Sequence, residues 1–209
     1  MVATLPFLVS GEHPDDMGML ANILPDYGPP PTFEGRWSKG VEFHHDRFRG
    51  LIILGDSSDN RATYRALEKE QRWLLKAMEA KRPVLGICFG AQMLAAFQNR
   101  GRRAGGLSGL PRLHVGVCPV ELRDDGLTDP VLKPLRRHPF VTMSHEDCFQ
   151  KPEGTEPLAW SACEGVNEHC EAFRIGPPSE AVYGFQFHPE PTLDMLRDAR
   201  EGRRWFDVV

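Results

Sequence analysis

Residues 82–92, RPVLGICFGAQ, leave a chain few ways to fold. The apolar run PVLGIC reads as a short buried strand, and GAQMLAAFQ resumes helical spacing directly after it. A strand therefore passes into a helix with no loop between them, and Cys88 sits at the turn. Gly86 and Gly90 flank it two residues away on either side, the spacing of a nucleophile elbow with cysteine in place of serine. The helix that follows presents its positive end to the thiol, which favours a thiolate, and its first N–H groups suit a developing oxyanion. A buried cysteine that merely packs at a strand end is the plainer reading. The paired glycines and the strand-to-helix junction favour the nucleophile.

The rest of the chain repeats the pattern. LPFLVSGEHPDDMGMLANIL reads as strand, polar turn and helix, with Met17, Leu20, Ile23 and Leu24 at helical spacing. Prolines 29–31 mark a loop or irregular edge, and no second strand is placed there. LIIL at 51–54 is a strand buried on both faces and cut off by Gly, Asp and Ser. The segment after it, to about residue 82, is the strongest helix, with Tyr64, Leu67, Leu74, Leu75 and Met78 on one face. Strand and helix in alternation imply parallel strands joined by crossovers. Beyond residue 110, HVGVCPVELR, PFVTMSH, HCEAFRIG and AVYGFQFH alternate like antiparallel additions, and PTLDMLRDAR closes the chain as a helix. The expected fold is one α/β domain over residues 1–209: doubly wound, with a mostly parallel central sheet, flanking helices and antiparallel additions.

A nucleophile needs a base, and YGFQFHPEPT supplies one. His188 can take the thiol proton and return it to a leaving amine. Glu190, two residues on, points the same way along an extended segment and can fix the imidazole tautomer.

With both segments in view the chain resembles the class I glutamine amidotransferases, Cys-His-Glu glutaminase domains of flavodoxin-like fold. GICFGAQ and GFQFHPE match the two signature motifs of that family. LIILGDSSDN falls where the family carries a Gly-Gly-Pro loop, VTMSHEDCF where it often has Ser-His-Gly-Asp, and EHCEAFRIG resembles the strand before the catalytic histidine. The resemblance spans roughly residues 50–192. It implies that Cys88 attacks the side-chain amide of glutamine, forms a γ-glutamyl thioester and releases ammonia, with His188 as base and acid and Glu190 as its orienter. It also implies an oxyanion hole from the N–H of Phe89 and the Gly55-Asp56 turn, and substrate contacts from Gln92 and from Ser144, His145, Glu146 and Asp147. Asp56 and Glu146 stand where the family usually has glycine. Two acidic replacements at one pocket raise the expectation of a positively charged γ-glutamyl amine as substrate, against the plainer reading that both point to solvent.

Composition removes other classes. A net charge of −4 lacks the basic face that nucleic acid requires, and Arg100, Arg102 and Arg103 read as a solvated loop. No apolar run reaches membrane-spanning length and no leader is visible, so a cytoplasmic protein is expected. Five scattered cysteines form no disulfide framework and no CxxC pair. The metal-capable groups at His13–Asp16 and His44–Asp46 find no third cluster at suitable spacing, so no metal and no cofactor are expected. Three readings stand. The chain is a glutaminase that feeds ammonia to a separate synthetase subunit, or it is a stand-alone γ-glutamyl hydrolase or transferase, or it is a non-catalytic module on the same fold.

Overall fold

The computed structural model describes residues 5–36, 38, 40–56, 68–98, 108–149, 151–161 and 169–200. The chain groups into two compact units, Met1–Val84 with Glu190–Val209, and Leu85–Pro189. The architecture is mixed α/β, as expected.

In the first unit β1 (Phe7–Gly11) lies between β2 (Thr32–Gly35) and β3 (Gly50–Ile53), all parallel, with Leu8 opposite Leu51 and Val9 opposite Phe33. Leu8, Val9, Leu51, Ile53 and Leu54 carry its core. The loop reading of prolines 29–31 stops one residue short of β2, because a proline can precede a strand where it cannot donate within one. Helix α1 (Met19–Ile23) is a fragment between 3-10 turns at Pro14–Met17 and Leu24–Tyr27, and none of its residues is buried. Pro25 has no N–H to donate back into the helix, so α1 gives way to the 3-10 turn while Leu24 stays in the right-handed helical region.

Helix α2 (Glu68–Glu79) buries Glu70, Trp73, Leu74 and Ala77, an i, i+3, i+4, i+7 face. That face is rotated from the expected one: Leu75 is 42% exposed, while Tyr64 and Leu67 lie outside the described residues. The turn toward Glu70 has a cause in its partners, given below. Helix α5 (Leu193–Arg200) closes the unit; Thr192 Oγ1 accepts the Met195 N–H at 3.1 Å and caps it.

The second unit runs β4 (Val84–Ile87, its first residue ending the first unit), α3 (Phe89–Gln98), β5 (Ser108–Leu122), α4 (Asp124–Thr128), β6 (Phe140–Cys148), β7 (Thr155–Ser161), β8 (Cys170–Ile175) and β9 (Val182–Phe185). Spatial order is β4-β9-β8-β7-β5-β6. β5 pairs antiparallel with β6 and β7, and β8 with β7 and β9. The antiparallel additions are thus five strands, with β5 lying between β6 and β7, around a core that includes Val120, Leu122, Met143, Leu158, Ala159 and Ala172. β7 is the strand that the alternating pattern misses; Pro157 interrupts it, and the register shifts beside that proline. Among the described residues no helix is long and apolar enough to cross a membrane.

Candidate active site

Cys88 occupies the turn between β4 and α3 with a backbone φ of +51°, in the left-handed region that non-glycine residues avoid. Two bonds hold it there. Its N–H donates to Phe185 O at 2.7 Å, and its carbonyl accepts the Gln92 N–H at 3.0 Å, the first bond of α3. A Cβ on Gly86 would stand 2.5 Å from both the carbonyl carbon and the carbonyl oxygen of Gly90. The two glycines of G-I-C-F-G therefore touch each other, and their missing side chains let strand and helix close on the cysteine. Cys88 is 4% exposed and its thiol is free. Phe89 opens α3, a position whose N–H has no acceptor inside the helix.

The sequence-expected residues of β6 meet this turn. Cys88 Sγ faces the Ser144 carbonyl at 3.8 Å, a weak S–H···O contact. Gln92 sends its side-chain Nε2 to Asp147 O at 3.1 Å and to Gln186 Oε1 at 3.3 Å, so its amide braces the β6 end. Gln186 in turn donates from Nε2 to Cys88 Sγ at 3.5 Å. Gln186 went unassigned in the sequence, although its place two residues before His188 puts both on one side of an extended segment. His145 is buried with Nδ1 3.0 Å from Asp147 O, whereas Glu146 points out to solvent.

His188 is buried beyond the end of β9. Its N–H donates to Thr142 O at 2.8 Å in an isolated antiparallel bridge, two residues before Ser144 on β6. The second unit thus carries Cys88, His188, Gln92, Gln186 and the 144–147 segment. Glu190 belongs to the first unit, where it is buried and its carbonyl accepts the Met19 N–H at 2.8 Å. Gly18 makes that approach possible: at φ +48° a Cβ there would lie 2.1 Å from the same carbonyl oxygen.

Asp56, at the position usually glycine, is committed inside the first unit. Its carboxylate pairs with the Arg36 guanidinium, both side chains fully buried. Arg36 also donates from Nη1 to Gly55 O at 2.9 Å, from Nη2 to Leu54 O at 2.9 Å, and from Nε to Glu70 Oε1 at 3.2 Å. Ser10 at the end of β1 donates to the same Glu70 oxygen. One arginine therefore ties the turn after β3 to α2, and this draws Glu70 into the buried face of that helix. The expected pairing of two acidic side chains for a cationic substrate is not what these residues do: Asp56 is neutralised by Arg36 and Glu146 is exposed.

The other histidine clusters resolve into turns. His13 caps the turn at Pro14–Met17, its N–H donating to Asp16 Oδ2 at 2.8 Å and its Nδ1 accepting from the Asp15 N–H at 3.3 Å. The His44 carbonyl accepts from Arg47 and Phe48, at 3.0 and 2.9 Å. Cys163 and Arg100, Arg102 and Arg103 lie outside the described residues.

The sequence pattern of the family described as glutamine amidotransferase class-I matches residues 37–199. GMP synthase [glutamine-hydrolyzing] from Aspergillus fumigatus is 34% identical over 111 residues, covering 53% of this chain and 19% of that protein. The enzyme of the same name from Porphyromonas gingivalis is 34% identical over 152 residues, 68% of this chain and 25% of that protein. The chain spans about a fifth to a quarter of the length of the curated relatives it matches. Among solved structures, a glutamine amidotransferase from Thermotoga maritima superposes with a TM-score of 0.74 at 21% identity, over 95% of this chain and 82% of that one. A glutamine amidotransferase from Methylobacillus flagellatus gives 0.71 at 18% identity, over 95% and 75%.

Proposed function

The chain belongs to the class-I glutamine amidotransferase family, and from that premise we propose that it hydrolyses the side-chain amide of glutamine, with Cys88 as the nucleophile. The observation that carries this reading is the strained turn at Cys88: a buried free thiol at φ +51°, at the start of a ten-residue helix, between two glycines in contact. Strain of this kind costs about 1–3 kcal/mol and persists where a function holds it.

In the proposed reaction His188 takes the proton from Cys88, and the thiolate attacks the amide carbon. The tetrahedral oxyanion lies at the helix start, where the Phe89 N–H donates, with the Gly55-Asp56 turn as the second donor by family pattern. His188 returns its proton to the nitrogen, the C–N bond breaks, and ammonia leaves behind a γ-glutamyl thioester. Water, deprotonated by His188, then releases glutamate and restores the thiol. Glu190 fixes the imidazole tautomer by the same family pattern. Gln186 positions Cys88 Sγ, and Gln92 and the 144–147 segment shape the ground around it.

Free glutamine is the substrate this assigns, because Asp56 has no charge to offer a cationic amine. The ammonia goes to an acceptor enzyme, a reading supported by relatives named GMP synthase [glutamine-hydrolyzing]. The test is a diazo-ketone analogue of glutamine followed by peptide mapping, together with ammonia release from glutamine. An adduct on Cys88, and loss of both signals in Cys88→Ala, are expected. No adduct, and unchanged ammonia release in Cys88→Ala, would overturn the assignment.

A further inference from the structure

The second unit holds a cluster of groups apart from the proposed catalytic residues, of which only His145 lies in the 144–147 segment. His114 on β5 and His145 on β6 are directly opposed in the antiparallel register. His169, just before β8, and Glu171, on β8, are two residues apart and share a side of the strand. All four are buried, His145 at 4% exposure and Glu171 at 0%. The three imidazole centroids form a triangle with sides of 5.1, 6.0 and 6.2 Å, each pair edge to face. One donor atom from each of the four residues falls within 4.8 Å of all the others.

We propose that His114, His145, His169 and Glu171 form a binding site for a divalent transition-metal ion of the zinc class. A fully buried carboxylate requires a cation, and His169 Nε2 lies 2.7 Å from Glu171 Oε1. Neutral imidazoles beside a carboxylate are the donors that zinc binds.

His145 is already oriented for the task. Its Nδ1 faces the Asp147 carbonyl at 3.0 Å, which places the proton on Nδ1 and the lone pair on Nε2. That is the outer-shell arrangement typical of a metal-bound imidazole. Nε2 itself and Glu171 Oε2 have no hydrogen-bond partner among the described residues. Tetrahedral zinc at its usual bond lengths holds donors about 3.4 Å apart, so binding draws in the wider spacings of up to 4.8 Å and opens the 2.7 Å His169–Glu171 pair. Four protein donors leave no open position, so the ion is structural. It pins the β6 segment that carries Ser144 and Asp147 to β8.

The site is independent of the glutaminase assignment and is tested in the Cys88→Ala protein, which lacks the active thiol. After chelator treatment and gel filtration the chain is titrated with Zn²⁺ and, separately, with Co²⁺, with metal content read by mass spectrometry. Expected are stoichiometric zinc, a cobalt spectrum of tetrahedral intensity without a thiolate charge-transfer band, and a higher melting temperature with metal. His114→Gln and Glu171→Gln, checked for folding by circular dichroism, should each weaken zinc binding by about tenfold or more. Should a variant fail to fold, the cobalt spectrum of the parent decides between imidazole and thiolate ligands. No stoichiometric metal in the refolded parent, a thiolate band, or equal affinity in folded variants would overturn the site.

Discussion

Cys88 is held by its neighbours and not by its own preference. Replacing Gly86 with alanine drives a methyl group into the Gly90 backbone at 2.5 Å, and neither partner is a side chain that can swing away. Gly86→Ala is therefore expected to lose ammonia release and to lower the melting temperature by several degrees. Cys88→Gly should go the other way in stability, because a left-handed φ costs a residue with a Cβ about 1–2 kcal/mol and costs glycine little. Urea unfolding should show Cys88→Gly more stable than Cys88→Ala by about 1 kcal/mol, with both inactive. Gln186→Leu keeps the volume and removes the donor to Sγ; a lower kcat at nearly unchanged KM is expected, and an unchanged kcat would deny it a positioning role. The turn at Cys88 and the strand end at His188 were legible because G-I-C-F-G and F-H-P-E carry their constraints locally. Gln186 was not, since its partners Gln92 and Cys88 lie ninety-odd residues away in the chain.

At the scale of elements, two buried networks decide where helices and strands face. Arg36, Asp56 and Glu70 tie a loop, a strand end and α2 together, and a side chain removed from such a group leaves a buried charge unmatched. Asp56→Asn is expected to destabilise by about 3 kcal/mol in urea unfolding, and so is Glu70→Gln, whereas the exposed Leu75→Ala should change stability little. Hydrophobic spacing misassigned the face of α2 for this reason: a pattern of apolar residues does not reveal a glutamate that an arginine thirty-four positions earlier pulls inside. The second network centres on Asp129, which pairs with Arg174 on β8, accepts from the Tyr183 hydroxyl on β9 at 3.2 Å, and accepts the Val131 N–H at 2.9 Å. Burial, and then the Asp129 charge, push the Tyr183 phenol up to about 12. The folded state thus favours the neutral phenol; the stability this gives is intact below the ordinary tyrosine value of 10.0 and is lost as pH rises toward the folded value. Tyrosinate absorbance should show one late-titrating group, absent in Tyr183→Phe.

For the molecule as a whole, the order of strands and helices up to residue 98 was readable except for β2, which follows the prolines at 29–31 and is too short to show a pattern of its own. Of the later antiparallel strands all but β7 were readable, though not their pairing, which depends on contacts between segments far apart. β7 escaped because Pro157 and a register shift break its alternation. The four buried groups at 114, 145, 169 and 171 share no local spacing, so only strand pairing brings them together. Net charge also acts at this scale: 29 acidic against 25 basic residues give −4, and no binding to duplex DNA at physiological ionic strength is expected in a mobility-shift assay.

The two backbone bonds at Cys88 leave its sulfur a single soft coordinate. With the N–H given to Phe185 and the carbonyl to Gln92, φ and ψ are fixed, and only rotation about the Cα–Cβ bond remains. In the proposed reaction the acyl group formed there has no arm on which to swing. Glutamine, ammonia and water would then each come and go around an almost stationary point, so the order of events in the proposed cycle is set by which molecules have room to move.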